Sequence, residues 1–219
     1  MYRALVLKEL HDLRGVLAAA AFAAALITAT LAGAPILPAQ IAGSSYERVV
    51  RFTSGAEEQW IAALAVGTAL AFGYWQSVLE IQRGTALYLF HRPLSRRKIV
   101  LTKLAVGLIL QTLIIAIPTL VLGVLAGWPG FWPAPFAWSM TWNCWAYGAW
   151  ALLVYLAASA SGWLEARWFG MRLAPLAAVV PLLIVPAVTF FSGWWLLVLL
   201  PFAGLLIVAV LRAAESRDF

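Results

Sequence analysis

The sequence predicts an all-α integral membrane protein with six transmembrane helices and both chain ends on the same side. Three observations carry this. The 219 residues are 64% hydrophobic and only 11% charged, with a mean hydropathy of +0.91, whereas a soluble domain is roughly one quarter charged. The charges segregate: there is no Lys, Arg, Asp or Glu between Gly15 and Tyr46, Gln59 and Leu79, Leu104 and Leu164, or Leu173 and Leu211. Thirteen of the fifteen Lys and Arg residues fall on one side once the spans are drawn, as expected of cytoplasmic segments.

The elements follow in order. Over residues 1–14, Tyr2, Val6, Leu10 and Leu13 form one stripe, while Arg3, Lys8, Glu9, His11, Asp12 and Arg14 cover the rest. That pattern predicts an interfacial amphipathic helix running into a first span at 16–36. Ala19, Ala20, Ala23 and Ala24 give this span small residues four apart, which allows close approach of a second helix. The basic start, apolar run and "AGA" at Ala32–Ala34 have the look of a signal peptide. However, the run exceeds the usual length of about 7–15 residues and Pro35 follows the would-be cut, so cleavage is not expected.

The second span is placed at 60–79. A crossing needs about 20 apolar residues, so the run from Leu104 to Leu164 holds two spans, at 104–126 and 137–162. The turn-rich "GWPGFWPAP" at Gly127–Pro135 separates them. The run from Leu173 to Leu211 holds two more, at 173–191 and 195–211, divided near "FFSGWW" at Phe190–Trp195. The whole chain forms one transmembrane domain. Arg48 and Arg51 alone lie on the far side, so the N-terminus, the 80–103 loop and the C-terminus are expected in the cytoplasm of a multi-pass plasma-membrane protein (a bacterial inner membrane). The net charge of +6 reads as topology and lipid contact, with no nucleic-acid partner.

No catalytic constellation stands out. His11 and His91 have no Cys or carboxylate at metal-ligand spacing, so neither a catalytic residue nor a metal site is expected. No phosphate-binding loop or nucleophile elbow occurs. Cys144, the single cysteine, rules out an internal disulfide framework. Ion-coupled carriers need an ionisable side chain within the bilayer, and the six spans as bounded offer none.

Their polar residues are uncharged. Tyr74, Gln76, Gln111, Asn143 and Tyr147 fit either a weakly polar substrate path or interhelical hydrogen bonds, each worth about 0.6 kcal/mol on average. The second use is the commoner. Trp128, Trp132, Trp194 and Trp195 sit at outer ends as belt anchors. Trp138, Trp142 and Trp145 recur at helical spacing as packing or lipid contacts.

The segment "EIQRGTALYLFHRPLSRRKIVLTKL", Glu80–Leu104, holds six of the fifteen basic residues. Gly84 and Thr85 mark a break, "ALYLFHR" makes about two turns of helix, and Pro93 ends it. Ser95 then caps a helix that runs into the third span, with Arg96, Arg97 and Lys98 in its first turn. An anionic membrane surface accounts for the basic cluster. It leaves the block Leu87, Tyr88, Leu89 and Phe90 in need of a cover.

An N-terminal amphipathic helix with "KEL" at Lys8–Leu10, six spans, and a second loop of the form E-x-x-x-G-T…L-x-x-x-P-L-S-R…K are together similar to the type-2 exporter permeases of ATP-binding-cassette (ABC) transporters. The loop pattern falls on Glu80, Gly84, Thr85, Leu89, Pro93, Leu94, Ser95, Arg96 and Lys103. The resemblance covers the architecture of nearly the whole chain, with specific residues only from about 80 to 104. It implies that the 80–103 loop carries a coupling helix, near 84–92, docking on a separate ATPase subunit, with Glu80, Gly84, Thr85, Leu87, Tyr88, Leu89, Phe90, Pro93, Leu94, Ser95 and Arg96 as coupling residues; that subunit holds ATP and Mg, while this chain binds no cofactor. It also implies a second permease copy, identical or related. "FFSGWW" leaves little room for the re-entrant helices that many members carry there. Two rival readings differ in what they require. A substrate-binding component of a vitamin-uptake system would present a more polar outward pocket, and an integral-membrane enzyme would cluster acidic or histidine residues near one interface.

Overall fold

Segments this apolar can satisfy their peptide groups in lipid only by hydrogen bonding within themselves, and helices do so. The computed structural model describes residues 2–33, 52, 56–82, 95–129, 135–164, 169–183 and 195–216. Over these residues the elements are α1 (Tyr2–Leu31), α2 (Ala56–Gln82), α3 (Arg96–Gly127), a 3-10 turn (Trp138–Thr141), α4 (Trp142–Trp163), α5 (Phe169–Arg172), α6 (Ala174–Val179), a second 3-10 turn (Val180–Leu183) and α7 (Trp195–Ser216). No strand occurs among the described residues. Among the described residues, five helices are long and apolar enough to cross a membrane: α1, α2, α3, α4 with its preceding turn, and α7. The chain is a multi-pass membrane protein.

Several expected boundaries move. The interfacial helix and the first span are one unbroken helix of 30 residues, because a lone Gly15 costs a helix only about 1 kcal/mol. α1 ends five residues before the predicted 36, where Gly33 adopts a φ of 106° and its N–H bonds the Thr30 carbonyl at 3.1 Å. A left-handed glycine just past the last turn is a usual helix stop. α3 starts where expected, with Ser95 at the cap position but no hydrogen bond from its side chain. It therefore takes in two turns that the sequence reading assigned to the loop.

The fifth predicted span, 173–191, is described only as far as Leu183, as short helical pieces. Residues 184–191 lie outside the described residues. α4 ends beside Ser77 of α2 and α7 ends beside Arg97 of α3, so both run toward the same end of the bundle. α6 lies on the return path between them, where the Trp150 indole donates to the Val179 carbonyl at 3.1 Å.

α4 is the central helix. Of its most apolar stretch 78% is buried, against 22% in α1 and 17% in α7. Small residues allow α2 to lie close against it. A Cβ at Gly73 would stand 2.6 Å from Ala158 Cβ and 2.8 Å from the Tyr155 carbonyl. One at Gly162 would land on the Ser77 hydroxyl. The alanine stripe of α1 is spent partly inside the chain: Ala20 and Ala24 are buried, Ala23 is half-buried, and Ala19 is exposed. It is therefore not free as a whole for a second copy.

The close approach of α2 and α4 gives a paired expectation. Gly73→Ala meets backbone that cannot yield, and should lose roughly 1–3 kcal/mol, as overpacking does. Gly67 has nothing within 4 Å of its would-be Cβ, so Gly67→Ala should be neutral or gain up to about 1 kcal/mol from helix propensity. Thermal unfolding of the two variants in detergent checks the opposite signs.

Candidate functional site

The most polar part of the interior lies at the end of the bundle where α1 and α3 begin. Lys103 Nζ stands 2.9 Å from Glu9 Oε1, with the two side chains 5% and 2% exposed. In α1, Leu5, Glu9 and Leu13 follow one another at four-residue steps and so share a face. All three are buried. In α3, Ile99, Lys103 and Gly107 do the same. Each charge is thus carried inward by the apolar neighbours of its own face. The expected stripe of Tyr2, Val6, Leu10 and Leu13 is corrected on this point: Glu9 belongs to the buried face. The spans as bounded in the sequence, 16–36 and 104–126, hold no charge, but the membrane-length helices that carry them extend back to Glu9 and Lys103.

Neighbouring groups extend the pair into a layer. Lys8 Nζ lies 3.7 Å from Glu9 Oε1 and 3.0 Å from Asp12 Oδ2. Gln76 Nε2 donates to the Lys103 carbonyl at 3.5 Å, and the Tyr155 hydroxyl donates to Gln76 Oε1 at 2.5 Å. Gly107 makes this possible, because any Cβ there would collide with the Tyr155 hydroxyl. The Trp75 indole donates to the Asp12 carbonyl at 3.2 Å. Four helices, α1 to α4, meet in this layer. An isolated buried charge costs several kcal/mol, and the partner is what makes each of these tolerable.

A second contact lies nearer the end of the bundle. Arg97 binds the Glu215 carboxylate through Nε and through Nη2, the latter at 3.2 Å. Arg96 Nη1 donates to the Glu215 carbonyl at 3.3 Å. Cations at the N-terminus of α3 are disfavoured by its macrodipole, while the C-terminus of α7 favours them. The end of α7 therefore offsets the cost at the start of α3.

The residues singled out from sequence fare differently. Gly84, Thr85, Leu87, Tyr88, Leu89, Phe90, Pro93 and Leu94 lie outside the described residues. Glu80 lies in the last turns of α2, Ser95 precedes α3, and Arg96 is in its first turn. The candidate path residues do not converge. Gln76 joins the layer just described, and Gln111 Nε2 donates to the Ala65 carbonyl at 2.7 Å farther along the bundle. Asn143 Nδ2 donates to Glu58 Oε1 at 2.9 Å at the opposite end. These three serve as interhelical hydrogen bonds. Tyr74 is half-buried on an open apolar groove with Trp75 and Val78, and Tyr147 is half-buried on α4.

No protein-family model, curated protein or solved structure matches the chain. Among the described residues no group of three His, Cys, Asp or Glu side chains could hold a metal ion. What the layer offers is mechanical: fixed attachment between helices. The sequence reading missed Glu9 and Lys103 because each was counted with the basic and acidic residues of a cytoplasmic segment. The signal was present in the four-residue flanks, Leu5 and Leu13 around Glu9, and Ile99 and Gly107 around Lys103.

The two charges should not respond equally to removal. Glu9→Leu removes the carboxylate 2.9 Å from the buried Lys103 ammonium, and should cost about 3–5 kcal/mol, as broken buried pairs do. Lys103→Met should cost less, because Lys8 remains 3.7 Å from Glu9. Unfolding midpoints of the single variants, read against the Glu9→Leu, Lys103→Met double variant, measure the order.

Proposed function

We propose that the chain is the membrane permease subunit of an ATP-driven ABC exporter in a bacterial inner membrane. In this reading it works as a pair of permease copies with two separate ATPase subunits that bind ATP and Mg, and it carries no enzymatic activity of its own. One observation carries the reading. The segment bearing the E-x-x-x-G-T…L-x-x-x-P-L-S-R pattern joins α2 to α3 at the end of the bundle where basic residues collect, and its last residues open a 32-residue helix without a break. A push on that segment reaches the interior through α3, which is a requirement for alternating access driven from outside the membrane.

The charge distribution supports the orientation. Lys8, Arg96, Arg97 and Lys103 gather at this end through their contacts with Glu9, Asp12 and Glu215. Glu57 and Glu58 open α2 at the other end, where carboxylates also suit the helix dipole. The basic end then faces the cytoplasm, and the ATPase with it.

Two outcomes follow. A cysteine at position 97, in a Cys144→Ala background, should react with an impermeant reagent only after the cells are opened. Labelling of intact cells from outside contradicts the orientation. Tyr88→Ala with Phe90→Ala should leave the protein inserted but weaken retention of the ATPase, since each apolar side chain docked in a groove is worth roughly 1.5–3 kcal/mol. Glu80→Gln or Gly84→Leu should spare assembly and lower ATP turnover in reconstituted membranes. Unchanged co-purification and turnover in all of these variants would rule the docking role out.

A further inference from the structure

We propose that Glu9 and Lys103 are positioning residues that tie α1 to the start of α3, so that the two helices move as one body. The consequence for transport rests on the permease reading; the tie itself does not.

α1 is peripheral, with only 22% of its apolar stretch buried. Its apolar contacts with other helices differ little in kind from contacts with lipid, so they do little to hold it in one register. The ion pair does hold it. Sliding α1 by one turn, about 5.4 Å, would stretch the 2.9 Å contact to roughly 6 Å and about halve the attraction. The layer is too dry for water to make good that loss, since the Glu9 and Lys103 side chains are almost wholly buried.

Two groups of α2 reinforce the register, and a third contact braces α1 within itself. Trp75 of α2 holds the Asp12 carbonyl, Lys8 spans Glu9 and Asp12, and Gln76 holds the Lys103 carbonyl. α3 is a single helix from Arg96 through Lys103. Displacement of its first turn is therefore delivered at Lys103, and passes through the pair to α1.

Spin labels at Leu7 and Leu101, both exposed, test the tie in the full chain, in lipid nanodiscs and a Cys144→Ala background. Three versions are compared: the native pair, the apolar pair (Glu9→Leu with Lys103→Met) and the reversed pair (Glu9→Lys with Lys103→Glu). Gel filtration and thermal unfolding establish that each is folded. The native and reversed pairs should give one narrow label-to-label distance distribution, and the apolar pair a broad one. A folded apolar pair as narrow as the native one overturns the proposal. If the apolar pair does not fold, a folded reversed pair with a broad distribution overturns it instead.

A second measurement is ATP turnover of the ATPase that co-purifies with each version. Stimulation by the permease should be lost with the apolar pair and return with the reversed pair. Equal turnover in all three contradicts the mechanical role. If no ATPase accompanies even the native chain, the permease reading fails, and the distance measurement still decides the tie.

Discussion

Glu9 and Lys103 face each other near the level where hydrocarbon gives way to headgroups: Glu9 is 22 residues from the far end of α1, about 33 Å along a helix, against a hydrocarbon thickness of about 30 Å. Pairing lowers the cost of burying each charge. Their pairing allows a two-turn extension of α3 and an uninterrupted α1 to coexist with a sealed interior. The other contacts of the layer adjoin it. Lys103 must be in place for its carbonyl to meet Gln76, and Gln76 must be in place to receive the Tyr155 hydroxyl across the gap left by Gly107. Small residues do the rest, letting α2 and α4 pack without a hydrophobic drive between helices.

The two ends of the bundle are built on different principles. At one end, ion pairs join α1 to α3 and α3 to α7, fixing helix starts and finishes to one another. At the other, aromatic contacts predominate: Phe52 and Phe136 lie 5.9 Å apart, Phe136 meets Trp138 edge to face at 5.3 Å, and Trp138 fills the space left by Gly123. Aromatic contacts adjust with little change in energy, while a dry ion pair separates only at high cost. Ion pairs at the basic end and aromatic contacts at the other are compatible with the permease proposed above.

Much of the architecture could be read from the sequence, because charge-free runs of membrane length have few alternatives. The starts of α2, α3 and α4 fell within a few residues of expectation. The continuity of α1 did not, since a basic and acidic start followed by a glycine reads equally well as a surface helix with a hinge. Only the three-dimensional partner, Lys103 on α3, shows that Glu9 turns inward. The same blindness affected Lys103, which charge counting assigns to a cytoplasmic loop and packing assigns to the interior. Gln76, Gln111 and Asn143 make hydrogen bonds between helices, the commoner of the two uses that their sequence allows. The loop pattern at 80–104 carried the functional reading in the sequence, and the proposed function takes α3, which its last residues open, as the route inward.

The sealed pair is open to one direct measurement, because the chain contains only three lysines: Lys8, Lys98 and Lys103. Brief treatment of opened membranes with an amine-acylating reagent, followed by mass spectrometry, reports the reactivity of each in the same molecule. Lys98 is exposed, and the Lys8 side chain is 33% exposed against 5% for Lys103. Lys98 should therefore react first, Lys8 more slowly, and Lys103 only once the protein is unfolded. Acylation of Lys103 in the folded protein as fast as that of Lys98 would contradict the buried pair, and with it the attachment of α1 to α3.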